Sequence, residues 1–209
     1  MAILLVNNYL RRPEAKIKRY IKVLGELTDE EIKVIRFQDV KPDLDVGQDV
    51  EAIILSGSEA CLSRPEDRPF FTGLMGFLRK TDIPVLGICF GHQLLGFTFG
   101  APVVDMGHLV KEAKEVVVEV PDDVFASWRP GDKILVAESH RDKLERLPQG
   151  FLRLATSSYC EIEAMKHINR PIYGVQFHPE RKPEPWLESW DGLEVLRNFL
   201  ASLGLAREA

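Results

Sequence analysis

The stretch Pro84-Val85-Leu86-Gly87-Ile88-Cys89-Phe90-Gly91-His92-Gln93-Leu94-Leu95-Gly96-Phe97-Thr98-Phe99-Gly100 changes character at its middle. Pro84–Ile88 is an uninterrupted apolar run, the pattern of a strand buried on both faces of a parallel sheet. Gly91–Phe99 reads as a short apolar helix closed by Gly100. Cys89 falls at the junction, with glycines two before and two after it. This is the form of a nucleophile elbow with cysteine in place of serine. On so sharp a turn the side chain projects beyond the sheet, and glycines let crowded backbone pass closely. The helix that follows aims its positive end at the sulfur and favours the reactive thiolate. The Phe90 N–H is placed to meet a developing oxyanion. A buried strand-end cysteine between packing glycines fits the same residues, and the segment alone leaves both readings open.

On the N-terminal side, Ala2–Val6, Ile32–Phe37 and Ala52–Leu55 read as further strands. Ile17, Tyr20, Ile21 and Leu24 mark one face of a helix over Glu14–Leu24, with Pro13 at its start and Gly25 as its stop. Phe70–Leu78 reads as another helix, weakened by Gly73 and Gly76. Strands alternating with helices imply a parallel sheet with right-handed crossovers. Beyond Gly100 the pattern changes. Glu115–Val120, Lys133–Ala137, Phe151–Thr156, Glu161–Lys166 and Ile172–Gln176 are strand candidates with short links, so several should pair antiparallel. Leu193–Leu203 carries the apolar stripe of a packed helix. The expectation is one α/β domain over 1–209, with a mixed, mostly parallel central sheet between helical layers.

The chain has 209 residues, 45% hydrophobic and 28% charged, with net charge -5. Acidic and basic residues are interleaved, which argues against a nucleic-acid partner. No apolar run approaches the roughly 20 residues of a membrane span, and the apolar start lacks the flanks of a signal peptide, so a cytoplasmic protein is expected. Cys61, Cys89 and Cys160 are too few, and odd in number, for a disulfide framework or a cysteine metal site. No metal or cofactor is expected. One thiol is a candidate for chemistry; the others read as small inert fillers.

A catalytic thiolate needs a proton carrier, and histidine suits neutral pH. His92, His108 and His167 read as surface or cap residues. His178 follows a strand and opens His178-Pro179-Glu180. In extended chain, residues two apart point the same way, and Pro179 biases His178 to that conformation. Glu180 can then hold the far ring nitrogen, as the third member of a triad does. A strand-end histidine beside a solvated glutamate is the alternative reading of the same residues.

Together, Gly87–Gln93 and Gly174-Val175-Gln176-Phe177-His178-Pro179-Glu180 resemble the class I glutamine amidotransferases, in the expected order and over nearly the whole chain. Glu138-Ser139-His140 and Ile162-Glu163-Ala164-Met165-Lys166-His167 look most like the glutaminase subunit of two-subunit GMP synthases. The resemblance implies a flavodoxin-like three-layer fold. It implies a Cys89, His178 and Glu180 triad, with an oxyanion hole from the N–H groups of Phe90, Gly57 and Ser58. It also implies glutamine contacts from Gln93 and the backbone around His140 and Arg141, and a thioester intermediate. Ammonia would pass to a synthetase partner, and the nearest candidate is the ATP-dependent synthetase subunit of GMP synthase. No phosphate-loop fingerprint appears, so amination would occur on that partner. A stand-alone γ-glutamyl hydrolase and a non-catalytic regulatory homologue are the alternatives.

The chain departs from the family pattern in places. Ser58 stands where glycine is usual, Asn7-Asn8-Tyr9 replaces an Asp-Asn-Gly-Gly-Gln-like stretch, and Arg141 stands where many members have glycine. Arg181–Asp191 is longer than in GMP synthases and carries Trp186 and Trp190, which would either form a contact surface or pack against the last helix.

Overall fold

The computed structural model describes residues 1–207; the final two positions of the expected 1–209 domain, Glu208 and Ala209, lie outside the described residues. The chain runs β1 (Ala2–Asn7), α1 (Pro13–Leu27), β2 (Glu31–Arg36), β3 (Val50–Leu55), α2 (Thr72–Lys80), β4 (Val85–Ile88) and α3 (Phe90–Thr98). It continues through β5 (Val103–Val110), β6 (Ala113–Val118), β7 (Lys133–Ala137), β8 (His140–Leu144), β9 (Phe151–Thr156), β10 (Ala164–His167), β11 (Ile172–Val175) and α4 (Asp191–Ser202).

Nine strands form one sheet in the order β2-β1-β3-β4-β11-β10-β9-β6-β7. The strands from β2 to β11 in that order run parallel. From β11 outward every pairing is antiparallel. β4 and β11, which end at Cys89 and lead to His178, are neighbours in register, with Val175 opposite Ile88. That pairing brings two segments far apart in sequence to one edge.

Alternation along β1 shows the layers. Ile3 and Leu5 join the core under α1 and α4, with Tyr20, Leu24 and Phe199. Leu4 and Val6 face the opposite core under α2 and α3, with Leu74, Leu94 and Leu95. A sheet buried on both faces explains why its central strands read as continuous apolar runs.

Local expectations shift in four places. α1 runs through Gly25 to Leu27, because Leu27 is buried in the core and its burial outweighs the cost of an exposed glycine. Arg68–Phe71 forms a 3₁₀ turn, so α2 begins only at Thr72. The strand expected over Glu161–Lys166 starts at Ala164, where the pairing with β9 shifts register. β5 and β8, not anticipated, form a separate two-stranded sheet.

The elbow glycines are sterically required. A Cβ on Gly87 would lie 2.6 Å from the Gly91 carbonyl, and one on Gly91 would lie 2.6 Å from the Leu55 carbonyl oxygen. Gly25 has nothing within 4 Å of a built Cβ. Gly91→Ala should therefore destabilise the fold by about 1–3 kcal/mol. Gly25→Ala should stabilise it by roughly 0.5–1 kcal/mol, through helix propensity and a less disordered unfolded chain. Urea unfolding of both variants checks the pair; equal midpoints would contradict the crowding described at the elbow.

Candidate active site

Cys89 occupies the turn between β4 and α3 with φ 52 and ψ -101. A side chain in that region costs about 1–3 kcal/mol, so the surroundings must hold it there. They do so through backbone: the Cys89 N–H donates to the Val175 carbonyl at 2.8 Å, and the Gln93 N–H donates to the Cys89 carbonyl at 3.1 Å. The thiol faces the Ser139 carbonyl at 3.7 Å, and the Gln176 side-chain amide donates to the sulfur at 3.8 Å.

His178 comes to the same point from the end of β11. Its N–H donates to the Ala137 carbonyl at 2.8 Å. Its ring Nδ1 lies 2.8 Å from Glu180 Oε1, and both side chains are buried. Arg181 Nε donates to the same carboxylate oxygen at 3.2 Å. Burial alone would lower the pKa of His178, but the Glu180 carboxylate and the adjacent Cys89 sulfur outweigh it and push it up to about 10. Glu180 responds in the opposite sense: burial would raise it, yet His178 and Arg181 hold it below the usual carboxylate range. The pair is an imidazolium and a carboxylate, with the imidazolium against the sulfur.

The expected oxyanion donors divide. The Phe90 N–H opens α3, and neither it nor the Ser58 N–H has an acceptor among the described residues. The Gly57 N–H donates to the Tyr20 hydroxyl at 3.0 Å. Gly57 also lies against the His178 ring, since a Cβ there would approach His178 Cε1 to 3.0 Å. Ser58 costs no backbone strain, because the non-glycine residues with positive φ are Arg12, Cys89 and Asp123 among those described.

Gln93, His140 and Arg141 all line a cleft of about 720 Å³ that also holds Cys89, His178 and Glu180. Their side chains are committed to the protein. Gln93 Nε2 donates to the Asp142 carbonyl at 2.6 Å and to Gln176 Oε1 at 3.2 Å, which turns the Gln176 amide toward the sulfur. The His140 ring lies between the Asp142 carbonyl and Glu138. Arg141 is half-exposed and pairs with Asp105.

Sequence reasoning missed Gln176, Ser139 and Tyr20. Gln176 had a usable signal, because it lies two residues before His178 on extended chain and so shares its side. Ser139 lay within the Glu138-Ser139-His140 segment that carried the resemblance, whereas Tyr20 had no signal and folding alone brings it in. His92, read as a surface or cap residue, is fully buried. A Cβ on Gly174 would lie 2.6 Å from its Nδ1, so that glycine makes room for the ring. Burial pushes His92 down to about 3 and keeps it neutral. The two tryptophans part ways: Trp190 is buried, with its indole N–H on the Pro179 carbonyl at 2.8 Å, whereas Trp186 is 75% exposed. All three cysteines are free. Among the described residues no helix is long and apolar enough to cross a membrane.

A three-layer α/β fold with a cysteine elbow facing a buried histidine–glutamate pair defines the class of triad-bearing cysteine amidohydrolases. The family described as Glutamine amidotransferase class-I matches residues 11–202, and the chain belongs to it. Among its relatives is the glutamine-hydrolyzing GMP synthase subunit of Methanothermobacter thermautotrophicus, 35% identical over 200 residues, covering 94% of this chain and 95% of the relative. The protein of the same name from Methanosarcina barkeri is 38% identical over 208 residues, covering 96% and 95%. Of solved structures, a putative GMP synthase subunit from Thermoplasma acidophilum superposes with TM-score 0.80 at 27% identity, covering 98% of this chain and 94% of that one. A glutamine amidotransferase from Thermotoga maritima shares the fold, with TM-score 0.73 at 19% identity over 97% of each chain.

The charged pair predicts a pH window for stability. His178 has its pKa raised from 6.5 to about 10, so its contribution is complete below pH 6.5 and is lost as pH rises through about 10. Glu180 is lowered from 4.5, so its contribution is present above that value and is lost as pH falls below it. The stability gap between the wild type and Glu180→Gln should be widest between about pH 4.5 and 6.5 and narrow toward pH 10. Urea unfolding across pH 4 to 10 measures it (roughly the range the linkage spans); a flat gap would rule out the ion pair.

Proposed function

We propose that this chain hydrolyses the side-chain amide of glutamine through a Cys89 thioester, releasing glutamate and passing ammonia to a separate synthetase subunit, that of GMP synthase. The observation that carries this reading is Cys89, strained on its elbow and set against the buried His178–Glu180 ion pair. The identity to glutamine-hydrolyzing GMP synthase subunits over nearly their whole length supports the choice of acceptor. Free thiols and a soluble acceptor fit a cytoplasmic setting.

In this mechanism the Cys89 thiolate attacks the amide carbon. The oxygen takes up the charge and is held by the Phe90 and Ser58 N–H groups. His178, already protonated and oriented by Glu180, gives its proton to the amide nitrogen as the C–N bond breaks. Ammonia leaves, and the acyl group stays on sulfur. Neutral His178 then takes a proton from water, hydroxide attacks the thioester, and glutamate departs as the thiolate is restored. Gln176, aimed by Gln93, donates to the sulfur and steadies its anion. Gln93 thus acts on the substrate through Gln176, and the cleft wall around His140 and Arg141 frames the substrate with its backbone.

Cys89→Ala should lower glutamine hydrolysis by about 10³-fold or more while leaving the unfolding midpoint near that of the wild type. Glutaminase assays with and without the synthetase component of GMP synthase test the acceptor: turnover should be weak alone and rise when that component and its nucleotide substrates are added. Faster cleavage of γ-glutamyl peptides than of free glutamine, with no response to the synthetase, would point to the stand-alone hydrolase instead.

A further inference from the structure

A second histidine–carboxylate pair brackets the residue whose carbonyl faces the sulfur, and the mechanism above does not use it. His140 Nε2 is 3.3 Å from Glu138 Oε2, with side chains 1% and 0% exposed. The two residues flank Ser139, whose carbonyl faces the Cys89 thiol at 3.7 Å. Beside Glu138 lies Glu163, fully buried. The Tyr159 hydroxyl donates to Glu138 Oε1 at 3.2 Å, and the Ser157 hydroxyl donates to Glu163 Oε1 at 2.6 Å.

Proton arithmetic constrains this cluster. His140 Nδ1 lies 2.9 Å from the Asp142 carbonyl, which can only accept, so Nδ1 carries a hydrogen. Glu138 Oε2, His140 Nε2 and Glu163 Oε2 are buried and have no hydrogen-bond partner among the described residues, although His140 Nε2 and Glu138 Oε2 stand 3.3 Å apart. Protons held between these groups are what can satisfy them. Burial and the neighbouring Glu138 push the Glu163 carboxyl well above the usual range, so it stays protonated and can donate toward Glu138. With Nδ1 on the Asp142 carbonyl and Nε2 buried facing Glu138, His140 presents no exposed nitrogen to a substrate or a leaving group. That separates it from His178, whose hydrogen bond to Glu180 uses only Nδ1.

The cluster is also tied to the base strand. The Glu163 carbonyl accepts the Gln176 N–H at 2.7 Å, and the Ala137 carbonyl, just before Glu138, accepts the His178 N–H at 2.8 Å. Any shift of Glu138 or Glu163 therefore moves backbone on both sides of the sulfur.

We propose that Glu138, His140 and Glu163 are positioning residues for the nucleophile: a buried proton-sharing clamp that fixes the Ser139 carbonyl against Cys89 and keeps the sulfur aligned with His178. The proposal rests on Cys89 as the nucleophile. It adds a specific claim, that alignment of the sulfur depends on side chains that make no contact with glutamine.

The test follows two readouts on the full chain: steady-state glutamine hydrolysis, and the rate of Cys89 alkylation by iodoacetamide, read by mass spectrometry of the Cys89 peptide. Glu138→Ala leaves His140 Nε2 unpaired and frees Ser139. It should slow both kcat and alkylation by about tenfold, with the KM for glutamine within about twofold of wild type. Glu138→Gln can still accept from Tyr159 and donate to His140, so it should restore both rates to within about threefold. Tyr159→Phe removes one hydroxyl at almost constant volume, and should slow both rates by about threefold even if the alanine variant does not fold. Wild-type rates in Glu138→Ala, or in Tyr159→Phe where the alanine variant does not fold, would overturn the clamp. So would lost turnover with unchanged alkylation, or a glutamine variant as impaired as the alanine one. Failure of the underlying reading looks different: hydrolysis would then survive Cys89→Ala.

Discussion

Cys89 is held in a backbone conformation that an L-residue avoids, and this constraint organises the molecule around it. The turn can exist only if backbone packs against it on all sides. Gly87 and Gly91 supply that closeness by having no side chain, and the Leu55 carbonyl fills the space. Val175 closes the remaining side by accepting the Cys89 N–H. The strain is therefore balanced by three strands, β3, β4 and β11, that must be neighbours in this order. The same neighbours carry the Gly57–Ser58 turn and the histidine segment, so the topology that tolerates the elbow also assembles what surrounds the sulfur.

Electrostatics near the sulfur works against burial and wins. Burying a histidine and a glutamate separately would drive each toward its neutral form. Placed 2.8 Å apart, they charge each other instead, and Arg181 strengthens the carboxylate. The cost of desolvation is offset because each charge has a partner within hydrogen-bond reach. His92 is the contrasting case in the same core. Buried beside Gly174 without a carboxylate, it stays neutral.

Two histidine–glutamate pairs thus lie near one cysteine, each spanning two residues; His178 to Glu180 does so in a turn closed by the Arg181 N–H on the His178 carbonyl at 3.1 Å, not in the extended chain expected. What separates them is the second ring nitrogen. In His140 it is directed at the Asp142 carbonyl; in His178 the hydrogen bond to Glu180 takes Nδ1 alone. Residue types and separation are shared, but the order is reversed, the ring nitrogen facing the carboxylate differs, and Glu180 alone has an arginine beside it.

Sequence alone determined the features whose physics is local. A strand ending in Gly-x-Cys-x-Gly before a helix, and a histidine two residues from a glutamate across a proline, are short-range geometry, legible in the order of residues. So were the parallel first half and the antiparallel second half of the sheet, because periodicity and link length carry that information. Tertiary structure decided what depends on distant neighbours. Gly25 is no helix stop because Leu27 finds a core to enter. The Gly57 N–H is met by Tyr20, which α1 brings to it. Gln93 and His140 turn inward because the Asp142 carbonyl lies between them. Tyr20 is far from Gly57 in sequence, as Asp142 is from Gln93, and only the His140–Asp142 contact is local. The distant partners arrive only when the sheet has closed, which is why residue type and spacing could nominate Cys89 while most of its surroundings had to wait for the fold.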